Sequence, residues 1–505
     1  MRIGTWLAGA SLLTAAAPAS AETLRDALLK AYTTNPTLTG QRAGQRATDE
    51  TVPLAKARGR PTAGGQAGYT ENFYNTGNSF ASPARQLTGG VSLSVPIYQG
   101  GQVRNSIRAA ETRVSAGQAG LRNTEANLFA EVVAAFMDVI RDAAIVGLNQ
   151  QNVRVLEVNL QASRDRFQVG DLTRTDVAQS DSRLAIARAQ LQSAQAQLIA
   201  SRENYIRVVG TPPGQLEDPP VLPQLPNEVE TAVAAALRDN PALVAAARQR
   251  DATRYDVEVA RSYRLPRLSG SVGSNYNSYL GSLGAGTAFA QSQSGVAATA
   301  GLSLSVPFYQ GGLPGAQVRQ AEALRSQAIE AVTETERSVI AAARSSFAIW
   351  RSSQEVIASS EVAVNANKLS LEGVRAENSV GTRTILDILN AEQELLNSQV
   401  TLVTARRDAY VAGFNLLAAM GGAEARDLGL DGGVLYDPTA NYKRVRNKLS
   451  DWSDDGEPVA VATRTDQTPV QNAVVETPKD PLLQKPPVDT SRPLTTGADA
   501  PSRRQ

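Results

Sequence analysis

The sequence predicts an α+β membrane protein built as a duplicated repeat. Each copy carries two antiparallel barrel-type strands and a long coiled-coil helical hairpin. Three observations predict this. A motif series occurs twice along the chain, two segments are nearly free of charge and alternate with period two, and long Pro-free stretches carry apolar residues seven apart.

The N-terminus comes first. Arg2 gives a positive start, Ile3 to Ala17 form an apolar run, and Ala19-Ser20-Ala21 is an A-x-A cleavage site. Residues 1–21 are therefore expected to be a signal peptide, with the mature chain starting at Glu22. The alternative is an uncleaved anchor, for which the apolar run is short. No later stretch offers a continuous apolar span, so an exported chain of this kind is soluble, secreted or an outer-membrane barrel.

Composition narrows the chemistry. The chain of 505 residues has no Cys and no His. That excludes disulfides, thiolate and imidazole metal sites, Cys nucleophiles and His-dependent triads. Lys plus Arg number 50 against 49 Asp plus Glu, a balance that gives no reason to expect nucleic acid. With no P-loop or recognisable carboxylate pair either, neither an enzyme nor a cofactor is expected.

The repeat sets the domain plan. Asn35-Pro36 returns as Asn240-Pro241 and Pro61 as Pro266, an offset of 205. VSLSVPIYQGG at 91–101 returns as LSLSVPFYQGG at 302–312, and Gly170, Thr173 and Asp176 return as Gly381, Thr384 and Asp387, an offset of 211. The second copy has gained six residues between Pro266 and Leu302. The copies are expected at 22–210 and 227–421, joined by a Pro-rich linker at 211–226. Residues 422–450 are expected to pack near the middle of the assembly. The Pro-rich, mixed-charge stretch 451–505 reads as a disordered tail.

Strands are expected within 62–98 and 267–309, where the only charges are Glu71, Arg85 and Arg267. Val91, Leu93, Val95 and Ile97 fall on one face and Ser92, Ser94 and Pro96 on the other; Leu302, Leu304, Val306 and Phe308 repeat the pattern. Alternation with few charges and clustered aromatics suits strands facing lipid. The Gly- and Ser-rich interiors, 75–85 and 281–294, read as hairpin loops.

Helices follow. No Pro occurs from Ile97 to Thr211 or from Gly315 to Asp437. Val177, Leu184, Leu191, Leu198 and Tyr205 lie seven apart, as do Ile388, Leu395, Leu402, Ala409 and Leu416. A helix over 102–168, even if broken near Gly117, Gly120 or Gly147, would reach roughly 100 Å. Gly170 and Gly381 then turn the chain into antiparallel hairpins. Four strands cannot close a barrel, and open sheet edges are not tolerated in lipid. The strands therefore lie outside a membrane, or several chains share one barrel.

The Asn-Pro motif, the VP-(I/F)-YQGG strand-to-helix junction and VGTRTILDIL at 380–389 resemble the TolC family over about Glu22 to Gly421. The resemblance implies a homotrimer with a shared 12-stranded β-barrel in outer-membrane lipid and an α-helical periplasmic tunnel. It implies a passive exit duct for type I secretion or drug efflux. Its partners would be a periplasmic adaptor and an inner-membrane ABC or proton-driven transporter. YDPTANYKRVRNK at 436–448 further resembles members linked to type I secretion.

For site residues, the resemblance points to a periplasmic gate at Asp387, Asn390, Asp176, Arg383 and Thr175. Asp387 takes the first position of the family's aspartate gate, whereas Asn390 stands at the second. Arg383 and Asp176 match closing links between neighbouring hairpins, with Asn378 where a tyrosine would help. From the residues alone, Thr173-x-x-Asp176 and Thr384-x-x-Asp387 read as helix capping boxes. In a trimer each Asp would recur three times around the axis. Such a ring selects cations, and crowding would raise the carboxyl pKa values. At the junctions Tyr98, Gly100 and Gly101, and Tyr309, Gly311 and Gly312, glycine permits the sharp turn and tyrosine suits a lipid interface. The rival reading is a soluble, envelope-associated coiled-coil structural protein or adhesin, which explains the heptads but not the strand pairs.

Overall fold

The computed structural model describes residues 21–74, 83–223, 225–282, 292–430 and 435–475. Residues 1–20 of the expected signal peptide, most of both hairpin loops and the tail beyond 475 lie outside the described residues. The element order is α1 (Leu24–Thr34), α2 (Pro36–Asp49), α3 (Thr51–Ala57), β1 (Thr62–Glu71), β2 (Arg85–Gln99), α4 (Gln102–Gln168) and α5 (Arg174–Val209). It continues with α6 (Val229–Asp239), α7 (Pro241–Ser262), β3 (Arg267–Ser278), β4 (Ser294–Ser305), α8 (Leu313–Ser379), α9 (Ile385–Ala419) and α10 (Ala440–Val445). Among the described residues no helix is long and apolar enough to cross a membrane.

The Asn-Pro motif has a local cause in both copies. Asn35 caps α2 by accepting from Thr37 N at 2.9 Å, and its amide donates to the Val208 carbonyl at 2.8 Å. Asn240 caps α7 through Ala242 N and donates to the Ala419 carbonyl at 2.9 Å. Proline follows at the first helical position, where a missing N–H costs nothing. One side chain thus breaks the short helices and ties that break to the end of α5 or α9.

The four strands form one antiparallel sheet in the order β1-β2-β3-β4. The register pairs Val91 with Gly65 and Ser274, Leu93 with Ala63 and Val272, and Val272 with Ala300. Opposed residues share a face. Val91, Leu93, Val272, Val296, Leu302 and Leu304 therefore form one apolar face that stands open to the surroundings. The other face carries Gln66, Ser92, Asn275 and Thr299, with no charge between the sheet ends. β1 and β4 are edge strands within the chain.

β2 runs to Gln99, with a register shift between Pro96 and Tyr98 where proline cannot donate to the ladder. β4 stops at Ser305, earlier than the expected 309, because β3, its one partner among the described residues, begins at Arg267 opposite Ser305. Tyr309 and Phe308 lie beyond the ladder and are exposed. Each junction then turns on two glycines of positive φ: Gly100 and Gly101 before α4, and Gly311 and Gly312 before α8. At Gly100 a Cβ would collide with the Leu265 side chain, so the turn also needs the space.

α4 and α8 are unbroken helices of 67 residues. Gly117 does not interrupt α4; the Gln45 side chain lies where its Cβ would stand. The heptad seams are buried at Leu184, Leu198 and Tyr205 of α5 and at Leu402, Ala409 and Leu416 of α9. The largest core joins α1, α4, α5 and α9 around Phe129, Phe136, Tyr205, Tyr410 and Phe414.

Three segments outside the helices pack on this core. The linker after α5 packs on α9: Tyr410 donates to the Pro220 carbonyl at 2.9 Å, and Leu222 and Leu225 fill the space beside Gly413. After α9, Ala425, Leu428 and Leu430 enter the same core, and Arg25 donates to the Gly429 carbonyl. Of the disordered tail expected at 451–505, residues 472–475 meet the first repeat. Arg202 donates to the carbonyls of Asn472 and Val474, and Ala473 and Val475 pack on the core. Those contacts supply what its own composition lacks, an apolar surface and a cation for its carbonyls.

Candidate functional site at the hairpin tips

The helices place the α4–α5 and α8–α9 turns about 100 Å from the sheet. The two hairpins reach that end together. Val153, Leu156 and Leu160 of α4, Leu184 and Ala187 of α5, Leu371 of α8, and Ile385, Ile388 and Leu389 of α9 form one buried cluster. Ser163 and Ser180, also buried, share a hydrogen bond of 3.2 Å between α4 and α5.

Both turns are Schellman motifs. Gly170 N donates to the Phe167 carbonyl and Asp171 N to the Arg166 carbonyl; Gly381 N donates to Asn378 and Thr382 N to Glu377. The glycines have φ of 82° and 81°. The next helix opens in each case with a full capping box. Thr173 N donates to Asp176 Oδ2 at 2.9 Å while Asp176 N donates to Thr173 Oγ1 at 3.3 Å. Thr384 N donates to Asp387 Oδ2 at 3.0 Å and Asp387 N to Thr384 Oγ1 at 3.3 Å.

These bonds decide the electrostatics within one protomer. The Asp176 carboxyl is held below its ordinary value, chiefly by the Thr173 hydroxyl and then its backbone N–H. Asp387 is lowered too, first by the Thr384 N–H and then by its hydroxyl. The expected upward shift from crowding needs neighbouring copies and is not a property of the single chain.

The remaining gate residues sit as follows. Arg383 pairs with Glu377 at 2.7 Å, and Asn378 donates to the Arg383 carbonyl at 2.7 Å. Within the protomer, then, Arg383 and Asp176 are not partners. Thr175 is exposed in the first turn of α5. Asn390 is exposed on α9, one turn beyond Asp387, and accepts from Arg183 Nη2 at 2.8 Å.

Two partners escaped the sequence reading. Arg183 belongs to no repeat motif and meets Asn390 only through the tertiary fold. Arg166 pairs with Asp171 at 2.6 Å, and its equivalent in the second copy is Glu377. That exchange of a base for an acid at an offset of 211 was a visible signal.

Comparison with known proteins fits this geometry. The outer membrane efflux protein family model matches residues 27–211 and 232–422. The outer membrane efflux protein BepC of Brucella suis is 35% identical over 449 residues, covering 88% of this chain and 93% of BepC. TolC of Escherichia coli is 29% identical, covering 94% of this chain and 92% of TolC. Among solved structures, the Campylobacter jejuni CmeC outer membrane channel superposes with a TM-score of 0.72 at 16% identity, covering 85% of this chain and 90% of CmeC. The family consists of passive channels, not enzymes, that join outer-membrane strands to a periplasmic helical tunnel. The chain is a member of the outer membrane efflux protein family, an outer-membrane export channel.

Proposed function

We propose that the chain is the outer-membrane exit duct of a tripartite export machine and works as a homotrimer. Three copies of the four-stranded sheet, joined β4 to β1, close a 12-stranded barrel with the apolar face toward lipid. The uncharged polar face then lines a wide, wet pore.

The observation that carries the trimer is an unfilled copy of an internal interface. Inside the chain, Ala144 and Leu148 of α4 are covered by Leu396 and Val403 of α9. Moving these positions by the repeat offset gives Glu355 and Ser359 on α8, opposite Ala185 and Gln192 on α5. Glu355 and Ser359 line an open groove with Val356, and Ala185 and Gln192 are exposed. The α8 groove of one copy is thus complementary in position to the α5 face of the next. A head-to-tail contact of this kind forms a ring when its rotation closes, here after three copies.

In that ring the polar stripe Asp387, Asn390 and Glu394 of α9 lines the tunnel. The tip is the gate, opened by an iris-like motion when a periplasmic adaptor and an inner-membrane ABC or proton-driven transporter dock. Arg383 of one copy meeting Asp176 of the next holds it shut. The cargo is a type I secreted protein, small-molecule drugs or both. The segment 436–448 supports secretion; its helix α10 docks on α2 through Asn441 and Asp49 at 2.9 Å. BepC's name supports an efflux role.

Planar-bilayer recording of the detergent-purified trimer tests the duct, and a deletion strain tests the cargo. A small conductance that rises in Arg383→Ser is expected; an unchanged conductance sinks the latch. A deletion strain with unaltered drug tolerance and an unaltered secreted-protein profile sinks the export role.

A further inference from the structure

We propose that Arg183 sets the ion selectivity of the duct by placing a positive charge on Asn390, one helical turn from Asp387, so that the constriction carries basic as well as acidic rings. This rests on the tunnel-lining role of the Asp387 stripe proposed above.

Asp387 and Asn390 lie three residues apart on α9 and so share a face. The opposite face, Ile388 and Leu389, is buried in the seam with Leu184. Arg183 precedes Leu184 on α5, and its guanidinium leaves the seam and donates to Asn390 Oδ1 at 2.8 Å. An amide is a neutral acceptor, so this hydrogen bond leaves the arginine's charge uncompensated. Farther along the stripe comes the exposed Glu394, whereas Glu392 is turned away and paired with Arg375. Read from the tip, each protomer offers Asp387, then Arg183 on Asn390, then Glu394. Three copies make an acidic, a basic and a second acidic ring, and the middle ring opposes cation selection.

The pairing also predicts a non-additive result. A carboxylate at 390 would meet the arginine as a charge-assisted pair and cancel it, adding no net acidic ring. The experiment is the reversal potential of the purified full-length channel across a KCl gradient, for wild type, Arg183→Gln, Asn390→Asp, the double variant and Arg183→Lys. Arg183→Gln should raise the potassium-to-chloride permeability ratio by roughly threefold, the scale of one screened charge at a few ångströms. Asn390→Asp alone should move it far less than the same change made in Arg183→Gln, and Arg183→Lys should stay near wild type. An unchanged ratio in Arg183→Gln, or equal shifts from Asn390→Asp in both backgrounds, overturns the assignment. Heat resistance of the trimer on gels confirms assembly of each variant, and Arg183→Lys separates charge from packing. If wild type itself forms no channel, the duct reading falls, and this inference with it.

Discussion

The turn between α4 and α5 and the turn between α8 and α9 have the same backbone and ion pairs of reversed order. Both are Schellman turns on a glycine near φ 80°, and both lead into a Thr-Asp capping box. In the first, the helix supplies the cation and the turn the anion, Arg166 to Asp171. In the second, the helix position holds Glu377 and the turn holds Arg383. Duplication kept what the backbone needs, the glycine and the cap. Around a ring of six hairpins in which the two kinds alternate, every neighbour would then present the opposite polarity.

Inverting one turn should give the largest effect. Arg383→Glu places like charges across the second turn and removes the cation proposed to meet the next copy, so tip conductance should rise several-fold. The sharper test is Glu377→Arg with Arg383→Glu, which rebuilds the pair within the turn but gives it the polarity of the first. If complementarity between neighbours holds the tip shut, this double variant stays open. Return to wild-type conductance would assign the second pair to its own turn alone.

Substituting the turn glycines comes next. Gly170→Ala and Gly381→Ala each force a Cβ into left-handed backbone at a cost of about 1–2 kcal/mol. Nothing stands within 4 Å of either added Cβ, so strain is the whole effect and should be equal in both turns. Thermal unfolding of the two variants measures this. A large inequality would mean that the trimer loads one turn more than the other.

The parts of this molecule that a sequence discloses are those where one residue type serves one local need. The Gly170 and Gly381 turns, the capping boxes and the alternation from Val91 to Ile97 are of this kind, and the internal repeat made them readable twice. Contacts between distant segments are not. Arg183 finds Asn390 across 207 positions, and nothing near either residue announces it. The stretch 451–505 has the composition of a disordered tail, and composition does not show that residues 472–475 meet Arg202 and the α4–α5 core, which lie elsewhere in the chain. Gly117 reads as a break in α4, yet it marks the close approach of Gln45. Where the strands stop was also a tertiary matter: β4 ends where its one partner does.

The smallest expected effect is on acidification, and here the two turns should behave alike. Asp176 and Asp387 have carboxyls lowered by the threonines they cap with. A lowered value in the folded state means the cap's stabilisation is complete above the ordinary aspartate value and is lost as pH falls through the lowered one. Neutral pH therefore leaves both caps intact, and mild acid removes little, since both carboxyls are open to water. Hydrogen exchange of peptides spanning 169–180 and 380–391, corrected for intrinsic rates, should show protection falling in parallel below about pH 4. In Thr173→Val the first peptide should lose that pH dependence while the second keeps it. A loss of protection confined to one turn would show that the shared Thr-Asp cap does not govern the pH response.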